Sequence, residues 1–138
     1  LLTNINQKIN KIVDIPIENY EELQVVHYVK DQEYKPHYDA CTSDYCYKVG
    51  DEKLGGLRYA TFIIYLSDNK EGGGTIFPKK NKVIQPEKGK AALFFNLNDN
   101  NTDVRTNSLH GGLPPGNGEK WMCNKWIRLK PIKKYTNY

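Results

Sequence analysis

Apolar residues in the first part of the chain recur at Ile5, Ile9, Ile12 and Val13, the stripe of an amphipathic helix, which predicts a helix from Asn4 to Ile15. Asn4 and Gln7 resemble a capping pair, and Pro16 marks the exit. Beyond Pro16 the period shortens. Leu23–Val29, Arg58–Leu66, Ile76–Phe77, Ala91–Leu97 and Trp121–Leu129 are β-rich runs divided by Gly, Pro, Asn and Asp clusters. One helix followed by many short strands predicts a mainly β fold, a double-stranded β-helix or jelly-roll core with the N-terminal helix packed outside. Asp99–Ser108 reads as a polar loop, and Ala40–Gly56 as a mobile lid.

Composition refines this picture little. A chain of 138 residues, 38% hydrophobic and 12% aromatic, is expected to fold as a single domain spanning residues 1–138 around one core. No apolar run approaches the roughly 20 residues that cross a bilayer, and no charged leader opens the chain, so a soluble domain of open localisation is expected. A start at Leu1 without Met points to an upstream segment missing from this form. The net charge of +4 comes from scattered lysines with a cluster at Lys125, Arg128, Lys130, Lys133 and Lys134, read as a solvated basic tail, with an electrostatic contribution to binding an acidic peptide or nucleic acid as the alternative; no nucleic-acid motif accompanies it. Cys41 and Cys46 can bridge if their loop folds back, with a pair of reduced thiols the equal alternative, and Cys123 reads as a small packing residue.

The chemistry concentrates in His37, Asp39 and His110. Side chains two apart on a strand share a face, so His37 and Asp39 can grip one metal ion while His110 closes the triangle from another strand. Three ligands on one side leave positions open, as a non-haem Fe(II) centre requires, whereas structural zinc takes a fourth ligand. Lys120 stands in a largely apolar strand and, if buried, needs an anionic partner. His27 has no counterpart in the triplet, faces away from Tyr28 and reads as structural. No helical His-Glu-x-x-His arrangement supports a zinc hydrolase.

Several stretches taken together resemble the catalytic domain of prolyl 4-hydroxylases of the collagen, plant and algal type. They are Glu21–Tyr28, Tyr34–Asp39, Arg58–Leu66, Gly72–Pro78, Ser108–Gly112 and Gly118–Ile127. The resemblance implies an Fe(II)/2-oxoglutarate dioxygenase coupling oxidative decarboxylation to 4-hydroxylation of proline in collagen-like or proline-rich peptides, with O2 consumed and L-ascorbate as reductant. It implies His37, Asp39 and His110 as iron ligands, and Lys120 paired with the distal carboxylate of 2-oxoglutarate, assisted by hydroxyl donors Tyr28 and Thr75. It further implies Tyr34, Arg58 and Trp126 around the peptide, with Glu21 a weaker candidate. Leu113-Pro114-Pro115 departs from the family pattern, as does the whole segment from Ala40 to Gly56, which bears on peptide specificity. A 2-oxoglutarate oxygenase for another protein or amino acid, and a non-enzymatic binder of proline-rich peptides, are the alternatives; oligomeric state is not legible.

Overall fold

The computed structural model describes residues 1–41 and 54–133. Cys46, Lys134 and most of the expected lid lie outside them; Cys41 is disulfide-bonded, and Cys123 is free and buried. The helix α1 (Leu2–Val13) comes first, followed among the described residues by eight strands: β1 (Gln24–Tyr28), β2 (Tyr34–His37), β3 (Arg58–Tyr65), β4 (Thr75–Phe77), β5 (Lys82–Ile84), β6 (Ala91–Phe95), β7 (His110–Gly112) and β8 (Lys120–Arg128). They form two four-stranded antiparallel sheets, in the orders β1-β8-β3-β6 and β2-β7-β4-β5. This is the expected jelly roll with its helix outside.

The β1-β8-β3-β6 sheet, the large sheet because its strands are the longer, is apolar on both faces where each face is covered. Ile63 and Tyr65 of β3, Ala92 and Phe94 of β6 and Met122 of β8 pack inward with Phe77 of the opposite sheet. The alternate positions Ala60, Phe62 and Ile127 pack outward under Ile9 of α1, with Ile5, Val13 and Ile15 around them. Strands buried on two sides read as near-continuous apolar runs, and for that reason β3 and β8 stand out in the sequence. Replacing Ile9, only 4% exposed, with alanine is expected to cost about 2–5 kcal/mol, since it opens a cavity at the helix–sheet seam. Urea denaturation measures it, and an unchanged midpoint would mean that α1 contributes little to the core.

Four expectations are corrected. The helix starts two residues before Asn4, with Leu1 at its N-cap and no side-chain cap, so Asn4 and Gln7 form no capping pair. It ends at Val13, where Asp14 turns left-handed (φ 52°) and its N–H reaches Asn10 O at 2.9 Å. Pro16 accounts for the early exit, because it disfavours helical backbone at Ile15. Strand β5 has no counterpart among the expected runs, and β2 and β7, expected only as the strands that carry His37 and His110, prove to be three or four residues long and built around Pro36 or glycine. Finally, Lys125 and Arg128 are not solvated. Lys125 is 4% exposed with its Nζ donating to the Glu21 carbonyl, and Arg128 Nε donates to Glu21 Oε1 at 2.7 Å. No helix among the described residues is long and apolar enough to cross a membrane.

Candidate active site

A cavity of about 860 Å³ opens between the sheets, and the inward positions of β8, Lys120, Met122, Asn124 and Trp126, form one wall. At one side of it His37, Asp39 and His110 each turn a potential ligand atom toward a common point, all within 4.8 Å of one another. His37 and His110 are direct partners in the β2:β7 ladder, with ring centroids 4.5 Å apart. Asp39 Oδ1 lies 3.6 Å from His37 Nε2 and Oδ2 lies 3.7 Å from His110 Nε2. The expectation that one strand carries both His37 and Asp39 needs amending: β2 ends at His37, and Asp39 follows in a bend.

Each imidazole is oriented by its own chain. His37 Nδ1 donates to Lys35 O at 2.8 Å and His110 Nδ1 to Ser108 O at 2.9 Å, which leaves both Nε2 atoms as lone-pair donors. Asp39 Oδ2 accepts from Thr61 Oγ1 (2.6 Å) and Trp126 Nε1 (2.9 Å). Burial alone would raise the Asp39 carboxyl, but His37, His110 and these two donors outweigh it and bring it down to about 2. Burial also acts against protonation of both histidines. It prevails at His110, which is lowered, whereas at His37 the neighbouring Asp39 carboxylate and the bond to the Lys35 carbonyl prevail and raise it. Two imidazoles and an ionised carboxylate make the donor set that suits a non-haem Fe(II) ion with coordination positions to spare.

Elsewhere in the cavity, Lys120 is fully buried and its Nζ has no hydrogen-bond partner among the described residues. It sits 4.6 Å from the Tyr28 ring centroid, and burial depresses its pKa to about 8. Tyr28 is the ladder partner of Lys120, and Thr75 is the partner of Gly112. A Cβ on Gly112 would come within 3.4 Å of the Tyr28 hydroxyl and 3.5 Å of Lys120 Nζ, so the glycine keeps that end of the cavity open. Thr75 Oγ1 is hydrogen-bonded to the buried Tyr65 hydroxyl at 2.7 Å, and the Ile84 carbonyl lies 3.2 Å from the same hydroxyl. A buried ammonium with no anion beside it, flanked by two hydroxyls and a space, suits a carboxylate guest.

The mouth is made of the residues expected to meet a peptide. Tyr34 is 56% exposed and tilts onto His37 at 3.9 Å. Arg58 lies over the Trp126 ring at 3.8 Å, and its Nε and Nη2 donate to the two oxygens of Glu21 at 2.7 and 2.9 Å. Glu21 is therefore a clamp between Arg58 and Arg128, and these cations overcome its burial to lower its pKa. His27 stands apart on the outer face, stacked on Trp121 at 4.0 Å and bonded to Glu119 at 2.9 Å. Thr61, Asn96 and Gly112 escaped the sequence reading. The available signal was a polar residue at an inward position of an apolar strand, as at Thr61 in β3 and at Asn96 just past β6.

A family model described as the 2OG-Fe(II) oxygenase superfamily matches residues 23–128. Among curated proteins, the chain is 36% identical to "Probable prolyl 4-hydroxylase 7" of Arabidopsis thaliana, over 99% of this chain and 47% of that protein. It is 37% identical to prolyl 4-hydroxylase 1 of the same plant, over 94% of this chain and 48% of that one. The chain thus spans about half the length of the curated relatives it matches. Among solved structures, it is similar to the viral collagen prolyl hydroxylase vCPH from Paramecium Bursaria Chlorella virus-1 in its 2OG complex. The TM-score is 0.76 and the identity 31%, covering 94% of this chain and 72% of that one.

Proposed function

Because the chain belongs to the 2OG-Fe(II) oxygenase superfamily, we propose that it is a peptidyl-proline 4-hydroxylase, coupling oxidative decarboxylation of 2-oxoglutarate to hydroxylation of proline in a proline-rich or collagen-like peptide. The observation that carries this reading is the pairing, in one cavity, of a His37–Asp39–His110 triplet with a buried, partnerless Lys120 ammonium. His37, Asp39 and His110 would hold Fe(II), which with 2-oxoglutarate and O2 supplies the oxidising power for an unactivated C–H bond. Lys120 would bind the distal carboxylate of 2-oxoglutarate, with Tyr28 and Thr75 donating hydroxyl hydrogen bonds, and so set the length of acid that fits. Tyr34, Arg58 and Trp126 would orient the peptide at the mouth. The aromatic rings offer apolar faces to a pyrrolidine, and Glu21 holds the Arg58 guanidinium in place before substrate arrives. Closing the cavity with peptide would exclude water from the reacting centre. L-Ascorbate belongs to this reading as the reductant that maintains Fe(II).

The test is mass spectrometry of a proline-rich peptide panel, Pro-Pro-Gly repeats included, after incubation with Fe(II), 2-oxoglutarate, ascorbate and air. The expected product is heavier by one oxygen, mapped to proline C4 and absent without 2-oxoglutarate. Succinate without any hydroxyproline would redirect the reading to an oxygenase for another protein or amino acid. No decarboxylation with any peptide would point to a binder of proline-rich peptides.

The depressed Lys120 pKa adds a pH signature. Only the ammonium form pairs with a carboxylate, and in the free protein that form is lost as pH rises through about 8. Affinity for 2-oxoglutarate, measured calorimetrically at fixed metal loading, is expected to hold below that pH and fall by up to about tenfold per unit above it. A flat profile to pH 10 would mean that Lys120 does not bind the cosubstrate as the free cation.

A further inference from the structure

Building on the Fe(II) reading above, we infer that Thr61 and Asn96 are positioning residues, a two-step hydrogen-bond relay that fixes Asp39 so that it offers a single oxygen, Oδ1, to the metal. Asp39 needs such fixing. It lies beyond the end of β2, in a bend, and among the described residues its carboxylate accepts hydrogen bonds from the Thr61 and Trp126 side chains.

Both donors to Oδ2 come from the large sheet. Thr61 of β3 and Trp126 of β8 are directly opposed in the antiparallel ladder, so their side chains stand together on the inward face and reach the same carboxylate oxygen at 2.6 and 2.9 Å. Two donors engage the lone pairs of Oδ2, which also stands 3.7 Å from His110 Nε2. Oδ1, 3.6 Å from His37 Nε2, receives neither of these donors. A carboxylate held in this way binds through one oxygen and keeps a coordination position open that a two-oxygen mode would fill.

Asn96 supplies the direction. A threonine hydroxyl has one proton, and Asn96 Nδ2 donates to Thr61 Oγ1 at 2.9 Å. The hydroxyl proton is therefore driven toward Asp39. Asn96 is wholly buried, and its backbone is tied on both sides, the N–H to Tyr59 O and the carbonyl accepting from Arg105 N–H, each at 2.8 Å. A polar pair this deep, at inward positions alongside Ile63, Phe94 and Ala92, needs a use for its hydrogen bonds, and the Asp39 oxygen at its end supplies one.

Co(II) binding to the whole protein tests the relay without turnover, through the dissociation constant and the visible absorption of the bound ion. Thr61→Val keeps shape and removes the donor. It is expected to weaken Co(II) binding about 10- to 100-fold, as the loss of an outer hydrogen bond at a metal site does, and to change the absorption band. Thr61→Ser is expected to restore both. Asn96→Ala is expected to weaken binding in the parent protein and to add nothing in the Thr61→Val background. Should Thr61→Val not fold, Trp126→Phe removes the other donor to the same oxygen and is expected to weaken Co(II) binding in the same direction. Parental affinity and spectrum in folded Thr61→Val, or in Trp126→Phe where that stands in, would overturn the relay. A parent protein that binds no Co(II) would instead remove the metal reading beneath it.

Discussion

Replacing His37 or His110 with alanine is expected to abolish hydroxylation. Removing a ligand should exceed the roughly 100-fold penalty of losing an outer-shell hydrogen bond, and the product should fall below detection. The two variants are not equivalent. His37 lies on a four-residue strand at the cavity mouth and is half-buried, so its removal takes away a nitrogen donor with little packing. His110 is 5% exposed, with ring centroids 4.5 Å from Phe94 and 5.9 Å from Phe77, so alanine there also opens a hole in the core. His110→Gln, closer in volume, separates the two effects. Thermal unfolding of the metal-free proteins should place His37→Ala near the parent and His110→Ala below it, with both inactive. Residual turnover in folded His37→Ala would remove it from the ligand set.

Lys120→Ala is expected to raise the KM for 2-oxoglutarate by about 30-fold or more, because a buried charge pair that loses one partner costs roughly 2–5 kcal/mol and 1.4 kcal/mol is tenfold. The same substitution should make the ligand-free protein more stable at neutral pH. Burial lowers the Lys120 pKa from 10.5 to about 8. At 1.36 kcal/mol per unit, that is about 3 kcal/mol of cost in holding the charge inside. The sign follows from the protonation states. Above about pH 10.5 the amine is neutral folded or unfolded and costs nothing; below about pH 8 it is charged in both states and the whole cost is felt. Lys120→Met, which refills the space, should therefore gain denaturant resistance over the parent at pH 7 and lose that advantage near pH 10.5. A normal KM in a folded variant would take Lys120 out of the cosubstrate site, and an unchanged pH 7 midpoint in Lys120→Met would mean that the charge is already compensated.

That lysine shows why much of the site was readable in the chain. Residues whose chemistry is costly unless used, such as a lysine among aromatics or a histidine two places before an aspartate, announce themselves by type and spacing. Long strands buried on both faces did so too, as β3 and β8 show. What stayed hidden has a common cause. Strands β2, β5 and β7 carry three or four residues and too few side chains to display a period, so ladder pairing alone sets the bounds of β2 and β7 around their expected histidines and reveals β5 at all. Thr61 and Asn96 are ordinary polar residues until β3 and β6 are laid side by side. Lys125 and Arg128 looked like surface charge because nothing local in the sequence reveals that Glu21, more than a hundred residues earlier, receives them.

The order of strands in the large sheet bears on how the protein is made. The strand nearest the C-terminus, β8, is not at an edge but lies between β1 and β3, with Tyr20 bridged to Ile127 and the Glu21 N–H bonded to Trp126 O. On the ribosome, β1 and β3 emerge long before the strand that joins them, and synthesis proceeds at only about 5–20 residues per second. During that interval both carry unpaired edges, and the pocket lacks the wall that holds Lys120 and Trp126. A chain stopped before residue 120 is thus expected to persist as an open, aggregation-prone half-sheet, a ready client for chaperones, until β8 is made and closes the pocket.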